Sequence, residues 1–363
     1  MRIIESPSGA YVTIDGIEYL NFAGSCYLGI CDRPEIIEAA KKAVEINGAF
    51  AQIPKHYGFN VRCNMDAEAA IAKYFGTEDA FYFMGGYLFG SMAFQGLRDD
   101  YDVIYLDEMA HFALKDGAKC TGKPIYTFSH CDPLDLKRVM DETLEKGQIP
   151  AIGCDGIFPT LGNISPLGEY FDLIEPLGGY LIVDESHSLG VLGDKGRGAI
   201  EKFNLPRDKA IGGGSAGKGF CAYGGIAVGS KELMDKFVYS PPGRGASAGM
   251  TSAAAATAAS LNYIMDNPRL LTKLRENIAY FRKGLKELGI STLDSESPVI
   301  AFQIRDGIYM RRLQAELYDK HQIFLLYSTY IGAGHEGVIR SAAFSDHEFE
   351  DIDRLLSVLK AYL

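Results

Sequence analysis

The chain has 363 residues, of which 47% are hydrophobic and 23% charged, the proportions of an ordinary globular protein with a sizeable core. Its net charge of −11 disfavours non-specific binding to nucleic acid or anionic lipid, and no apolar run reaches the ~18 residues of a membrane span. Seven cysteines without regular spacing argue against a disulfide framework and a zinc site, and the absence of a hydrophobic signal core at the N-terminus indicates a cytoplasmic protein.

In chain order, residues 1–32 form an extended segment, and residues 33–266 alternate short apolar strands with amphipathic helices. Strands are predicted at Asp79–Phe83, Val103–Leu106, Pro124–Phe128, Ala151–Cys154, Tyr180–Val183, Lys209–Gly212 and Gly225–Val228. Helices are predicted at Arg33–Ile46, Asn64–Phe75, Pro133–Lys146, Pro166–Leu177 and Ser252–Leu261. This alternation indicates an α/β fold with a mostly parallel central sheet and helices on both faces. Ligands of such sheets bind at the carboxyl ends of the strands.

The C-terminal part of the chain, residues 267–363, has a different pattern. A long charged helix is predicted at Arg269–Leu288, followed by a strand at Val299–Ile304 and a second helix. Another strand is predicted near Gly337–Ala342, and a last helix begins at Asp346. We expect a smaller α+β domain, against which the extended segment 1–32 packs.

The most informative residue is Lys218, in a turn of small residues within Gly212–Phe220. Upstream, the apolar strand Tyr180–Val183 is followed at once by the polar run Asp184–His187. Pyridoxal phosphate (PLP) chemistry needs a lysine for a Schiff base and a carboxylate that keeps the pyridine nitrogen protonated. The turn alone is equally compatible with an incidental exposed lysine. A buried acid nevertheless needs a partner, and a protonated pyridine nitrogen would be one.

Other predicted strand ends carry glycines or polar groups that would converge on the same site. The segment Met84–Tyr87 opens a helix, whose N-terminus favours phosphate, although a plain turn is also compatible with it. His111 follows a strand end and could stack on a flat ring, although a lone histidine is more often structural. Asp155 follows the strand Ala151–Cys154. With Lys218, these groups indicate one convergent site.

The order and content of these segments resemble the α-oxoamine synthase family of fold-type I PLP enzymes. The resemblance is colinear from about Tyr19 to the C-terminal residue, and Val183–Gly198 is its most specific part. The matching segments are Tyr19–Phe22, Tyr27–Gly29, Phe83–Tyr87, Asp102–His111, Phe128–Asp132, Val183–Gly198, Gly217–Phe220, Ile339–Arg340 and Asp351–Asp353. The resemblance implies the type I PLP-dependent transferase fold, PLP as the cofactor and a smaller C-terminal domain.

The resemblance implies four roles at the centre of the site. Lys218 would bind PLP as a Schiff base and later move the α-proton of the substrate. Asp184 would pair with the pyridine nitrogen of the cofactor. His111 would stack on the cofactor ring, and His187 would lie near its phenolic oxygen.

The resemblance also implies contacts to the cofactor phosphate and to the substrate. Gly86 and Tyr87 would bind the phosphate through backbone amides, and Ser215 through its hydroxyl. Ser247 lies where the family reaches the phosphate of the neighbouring subunit, which implies a homodimer with a shared active site. Arg340 would hold the amino-acid carboxylate by a two-point contact, although a surface strand arginine is the alternative.

Several positions differ from the family pattern. Ser25, which we expect to contact the substrate, stands with Cys26 where the family usually has Asn-Asp. The segment Tyr57–Arg62 replaces a glycine-rich segment, and Pro159 replaces a serine. Only about twenty residues precede Asn21, where family members usually have an additional helical segment. Several of these positions lie near the entry of the acyl thioester in the family.

The sequence therefore predicts a PLP-dependent acyltransferase that condenses an amino acid with an acyl thioester, carried by coenzyme A or a carrier protein, to an α-amino ketone. The differences just described leave amino-group transfer open as an alternative reaction at the same cofactor. A non-catalytic or partner-dependent subunit is a second alternative. Such subunits tend to lack the Schiff-base lysine, and this chain has Lys218.

Overall fold

The structure is a computed structural model, and it describes residues 1–49, 53–245 and 249–363. The strands are β1 (Tyr11–Ile14), β2 (Ile17–Asn21), β3 (Asp79–Phe83), β4 (Val103–Asp107), β5 (Ile125–Phe128), β6 (Pro150–Asp155), β7 (Tyr180–Asp184), β8 (Ala210–Ser215), β9 (Gly225–Gly229), β10 (Val299–Phe302), β11 (Ile323–Phe324), β12 (Leu326–Ser328) and β13 (Val338–Ala342). The helices are α1 (Pro34–Asn47), α2 (Arg62–Phe75), α3 (Leu88–Gly96), α4 (Phe112–Lys119), α5 (Pro133–Thr143), α6 (Leu167–Ile174), α7 (Ala199–Lys202), α8 (Lys231–Tyr239), α9 (Pro241–Gly245), α10 (Thr251–Asp266), α11 (Arg269–Glu287), α12 (Gly307–His321) and α13 (Phe349–Lys360).

A central sheet of seven strands, in the order β3-β9-β8-β7-β6-β4-β5, organises the larger part of the described chain. Strand β9 runs antiparallel to both of its neighbours, and the other pairs are parallel. Its strands are short apolar runs because both faces of the sheet are covered. In β7, Leu181 and Val183 join one hydrophobic core and Ile182 joins the other, which follows the two-residue period of a strand. The predicted mostly parallel sheet with helices on both faces is confirmed.

Several predicted helices differ from the structure at their ends, and for two of them the reason is identifiable. The helix predicted at Pro166–Leu177 is α6 followed by a separate 3₁₀ turn at Glu175–Leu177, because Pro176 has no amide hydrogen to continue the α-helix. The last helix starts at Phe349 rather than at Asp346. Glu348 and Asp351 cap it reciprocally, while the Asp346 side chain accepts a hydrogen bond from the Ala10 amide at 2.8 Å.

The N-terminal strands pair with the C-terminal part of the chain. Strand β2 lies antiparallel to β1 and parallel to β11, with Leu20 opposite Ile323. A second small sheet has the order β10-β13-β12. These contacts support our proposal that residues 1–32 and 267–363 pack together beside a larger domain of residues 33–266.

None of the helices in the described parts of the chain combines the length and the apolar character needed to cross a lipid bilayer.

Candidate active site

The carboxyl ends of the central strands meet around a cavity of about 170 Å³. Strand β6 ends at Asp155, β7 at Asp184 and β8 at Ser215, and all three residues line this cavity. The other lining residues are Gly86, Tyr87, His111, Ala113, Ser186, His187 and Lys218. The structure therefore brings together most of the side chains that the sequence analysis assigned to one site.

Asp184 is the acid at the end of β7, and it is 4% exposed. Its Oδ1 accepts a hydrogen bond from the Ser186 amide at 2.9 Å, which fixes the orientation of the carboxylate. Gly214 of β8 lies alongside, and a Cβ there would be 2.5 Å from Ser186 Oγ and 2.8 Å from Asp184 Oδ1. A glycine at this position is therefore required for the strand to pass so close to the acid.

Lys218 follows β8 in a tight turn and is partly buried in the cavity wall. Its carbonyl oxygen accepts a hydrogen bond from the Cys221 amide at 2.9 Å, which closes the turn. Burial lowers the pKa of the Lys218 amine below the ordinary 10.5, although Asp184 and Asp155 act in the opposite direction. A larger fraction of the amine is then neutral, as a nucleophile requires.

Asp155 is a site residue to which the sequence analysis assigned no role. It stands directly opposite Asp184 in the register of β6 and β7, and it is 2% exposed. Burial and the neighbouring charge of Asp184 raise the pKa of Asp155 well above its usual range. Its Oδ2 accepts a hydrogen bond from the His111 amide at 2.8 Å, so it positions the start of α4.

His111 is the N-cap of α4, and its Nδ1 accepts a hydrogen bond from the Ala113 amide at 3.2 Å. Burial lowers the pKa of His111, so we assign the neutral ring with its proton on Nε2. That nitrogen then donates to the Tyr330 hydroxyl at 3.2 Å. Tyr330 comes from the loop before β13, and no motif in the sequence indicated this contact.

His187 also lines the cavity and is 7% exposed. Its Nδ1 is 2.6 Å from the Tyr27 hydroxyl. Burial raises the pKa of Tyr27 to about 12, and burial with the nearby Lys218 charge lowers the pKa of His187 well below its usual range. Tyr27 therefore donates to Nδ1, and a neutral His187 carries its proton on Nε2, free to donate to a ligand.

The end of the cavity next to α3 is formed mostly by backbone. A Cβ on Gly86 would lie 2.5 Å from Ser215 Cα, so the absence of a side chain lets these two segments touch. Ser215 Oγ accepts a hydrogen bond from the Gly217 amide at 3.1 Å, which leaves its own hydrogen available to an anion. The Tyr87 side chain points away and donates to Asp116 Oδ2 at 2.5 Å.

The structure places the remaining predicted site residues as follows. Arg340, on β13, is 9% exposed, and its Nε and Nη1 donate to the carbonyl oxygens of Pro159 at 2.8 Å and Gly24 at 3.1 Å. Arg340 is thus buried rather than on the surface. Ser25 follows Gly24 but is not among the residues that line the cavity. Ser247 lies outside the described residues.

The side chains around the cavity fit PLP in their chemistry. An amine with a lowered pKa suits an aldehyde, and a buried carboxylate suits a protonated ring nitrogen. The close approach of Gly86 to Ser215 makes a narrow end with a free hydroxyl hydrogen, which suits a phosphate. Lys218, Asp184, Ser215 and the Gly86 backbone would therefore hold the cofactor.

Comparison with known proteins agrees with this fit. A model of the aminotransferase class I and II family matches residues 18–359. The 8-amino-7-oxononanoate synthase of Thermoanaerobacter pseudethanolicus is 29% identical over 100% of this chain and 91% of its own length. The serine palmitoyltransferase of Bacteriovorax stolpii is 28% identical over 98% of this chain and 85% of its own length.

Among solved structures, a lysine-to-alanine variant of serine palmitoyltransferase from S. paucimobilis with bound PLP–myriocin aldimine shares the fold of this chain. The TM-score is 0.92 at 21% identity, and the match covers 100% of this chain and 92% of that one. The predicted type I fold of PLP-dependent transferases is confirmed.

Gly86→Ala is expected to weaken PLP binding by about ten-fold or more. The added Cβ would lie 2.5 Å from Ser215 Cα, so the two backbone segments must move apart. Gly85→Ala is the matched control, since a Cβ there would have nothing within 4 Å. Absorbance titration of the PLP-free proteins measures both affinities. Equal affinities of the two variants would contradict the assigned phosphate contact.

Lys218 is expected to react with acetic anhydride at lower pH than an ordinary lysine, because burial disfavours its ammonium form. Since Asp184 raises this pKa, Asp184→Asn should lower it further. Peptide mass spectrometry of the PLP-free protein, labelled across a pH series, gives the inflection for Lys218. An inflection at or above 10.5, or an upward move in Asp184→Asn, would overturn the assigned environment.

Proposed function

This chain belongs to the aminotransferase class I and II family, and from that premise we propose that it is a PLP-dependent acyltransferase that condenses an amino acid with an acyl thioester to an α-amino ketone. The observation that carries the proposal is the set of Lys218, Asp184, His111 and His187 around one cavity. The names of relatives that match nearly the whole chain, an oxononanoate synthase and a palmitoyltransferase, support acyl transfer.

PLP, when bound, supplies an aldehyde that condenses with amines and a ring that withdraws electrons from the neighbouring carbon. In our proposal Lys218 would hold it covalently, and the Asp184 carboxylate would accept a hydrogen bond from its protonated ring nitrogen. The free amine of Lys218 would take the α-proton of the amino acid. The lowered pKa supports this role, because only a neutral amine can accept a proton.

The two histidines have separate roles in this proposal. The flat, neutral ring of His111, held by the Ala113 amide and the Tyr330 hydroxyl, would cover one face of the cofactor ring. His187 would donate from Nε2 to the phenolic oxygen, and the hydrogen bond from Tyr27 to Nδ1 keeps it in that tautomer.

Arg340 is the proposed contact for the carboxylate of the amino acid. Two of its N–H groups already bind the carbonyl oxygens of Pro159 and Gly24, which orients the guanidinium. Ser25 directly follows Gly24, so its proposed substrate contact depends on the same local backbone. A guanidinium held in this way suits a two-point contact with a carboxylate.

Amino-group transfer is the alternative, and the description of the matching family favours it. The two reactions share the cofactor and the proton transfer at Lys218, so these residues do not distinguish them. They differ in their second substrate, which is an acyl thioester in one case and a 2-oxo acid in the other.

The purified protein, incubated with PLP, an amino acid such as glycine, alanine or serine, and an acyl-coenzyme A, is expected to release free thiol and CO2 and to form an aminoketone. Lys218→Ala should lower this turnover by about 10³-fold or more, because it removes both the nucleophile and the proton acceptor. Its circular dichroism should stay that of the parent chain. Thiol release and product mass are the two measurements.

Lys119→Ala, on the exposed end of α4, is the control and should keep full turnover. Arg340→Lys should instead raise the KM for the amino acid about ten-fold or more, because one bond to a charged group is lost. Full activity in Lys218→Ala would refute the site. Conversion of PLP to pyridoxamine phosphate without thiol release would favour amino transfer.

We also propose a cytoplasmic homodimer in which Ser247 of one protomer reaches the phosphate in the site of its partner. Large exposed side chains beside the cavity, such as Tyr87 at 52% and Phe112 at 46%, support a protein contact there. The seven free cysteines support a reducing compartment. Sedimentation equilibrium should give twice the chain mass of 39.7 kDa, and a monomer mass at micromolar protein would contradict the shared site.

A further inference from the structure

Three cysteines that are distant in sequence come together behind Lys218. Cys26 and Cys31 lie in the turn after β2, and Cys221 lies three residues after Lys218. Their three sulfur atoms all lie within 4.8 Å of one another. Cys221 is 7% exposed, and the other two are partly buried against the main hydrophobic core. We call this group the thiol cluster.

The backbone on both sides holds the sulfur atoms of the thiol cluster in place. The Gly29 amide donates to the Cys26 carbonyl oxygen at 2.9 Å, and the enclosed side chains of Tyr27 and Leu28 are fully buried. Cys221 has a φ of 51°, a left-handed conformation that is uncommon for a residue with a side chain. Backbone strain of this kind persists where the surrounding structure imposes it, and it concentrates at functional sites.

Two thiols of the thiol cluster make contacts with nearby backbone carbonyl oxygens. Cys31 Sγ donates to the Ser8 carbonyl oxygen at 2.6 Å, and Cys221 Sγ is 3.7 Å from the Gly219 carbonyl oxygen. Cysteine binds metals as the thiolate, so these three sulfur atoms become ligands when their protons are lost.

We propose that Cys26, Cys31 and Cys221 bind one soft metal ion, of the Zn²⁺ or Cu⁺ class, through their three sulfur atoms. A zinc–sulfur bond of about 2.3 Å places three sulfur atoms of a trigonal site about 4.0 Å apart. The sulfur atoms lie within 4.8 Å of one another, so each distance between them needs to shorten by less than about 1 Å to reach that geometry. Soft thiolate ligands select ions of this class. Each thiol that becomes a ligand releases its proton to solvent when the metal ion binds.

The thiol cluster suits a metal better than a second group that also contains a cysteine, Asp107 with His130 and Cys131. In that group His130 Nδ1 is 3.0 Å from Asp107 Oδ1, and the Asp107 carboxylate also accepts from the Met109 and Cys131 amides. Its polar atoms already satisfy one another, as in a structural network. Cys131 is therefore a control for the experiment and not a proposed ligand.

A bound ion would connect the turn at Cys26–Cys31, which follows the proposed substrate contact Ser25, to the turn that carries Lys218. It would thus limit the motion of Lys218 relative to the N-terminal segment. The inference does not depend on the proposed reaction, because it concerns binding by residues outside the cavity. Its test needs no turnover.

The probe is Cd²⁺, added to the reduced, PLP-bound protein after metal removal by a chelator. Sulfur-to-cadmium charge transfer in the ultraviolet should saturate at one equivalent in the parent chain. Each of Cys26→Ser, Cys31→Ser and Cys221→Ser should weaken binding by at least about ten-fold, since even outer-shell partners of metals contribute 10–100-fold. Cys120→Ser, which changes an exposed cysteine, and Cys131→Ser should bind as the parent chain does.

A second measurement on the unsubstituted chain covers the case in which a variant fails to fold. One equivalent of Zn²⁺ should slow the alkylation of Cys26 and Cys31 by iodoacetamide, but not that of Cys120, as read by peptide mass spectrometry. The proposal is overturned if Cd²⁺ shows no saturable band, if the band is lost in Cys131→Ser, or if Zn²⁺ leaves all alkylation rates unchanged.

Discussion

Three consecutive glycines in β8 are the constraint on which the site depends. A Cβ on Gly212 would lie 2.4 Å from Glu185 Oε2, and one on Gly214 would lie 2.5 Å from Ser186 Oγ. Without side chains at these positions, β8 can run directly beside the acidic end of β7. The turn after the strand then brings Lys218 to the cavity that Asp184 also lines, where the charge of Asp184 acts on the Lys218 amine.

Removal from water then shifts the protonation of four groups in the cavity. Burial lowers the pKa of Lys218, His111 and His187, and it raises that of Asp155. Every shift favours the neutral form, which is the general effect of desolvation. Neutral amines and imidazoles can accept or relay protons, and such shifts at one cavity are typical of functional sites. The electrostatics of the site and its proposed chemistry therefore have the same origin.

The C-terminal part of the chain completes the site from the other side. Tyr330 contacts the ring of His111, and Arg340 reaches the carbonyl oxygens of Pro159 and Gly24. The N-terminal segment joins them through Tyr27, whose hydroxyl holds His187. Segments far apart in sequence thus control the orientation of groups at the strand ends. Substrate specificity is expected to reside in these contacts, because they come from segments outside the central sheet.

Much of the fold and the centre of the site could be predicted from the sequence. Short apolar runs of strand length identified the central sheet, and its topology places acids such as Asp184 at one edge with the lysine turn. These signals are local, because the residues of a strand and the residue that follows it are neighbours in the sequence. The resemblance to a known family added roles for Gly86, Ser215 and Arg340 that periodicity alone does not indicate.

Only the tertiary structure decided which distant residues touch. Nothing in the spacing of Cys26, Cys31 and Cys221 indicates that their sulfur atoms lie within 4.8 Å, and the irregular spacing argued against a metal site. The contacts of Asp155 with the His111 amide and of Tyr330 with the His111 ring were equally invisible. The physical reason is that sequence patterns report burial and backbone preference along the chain. Contacts between remote segments depend on how sheets, helices and loops pack in three dimensions.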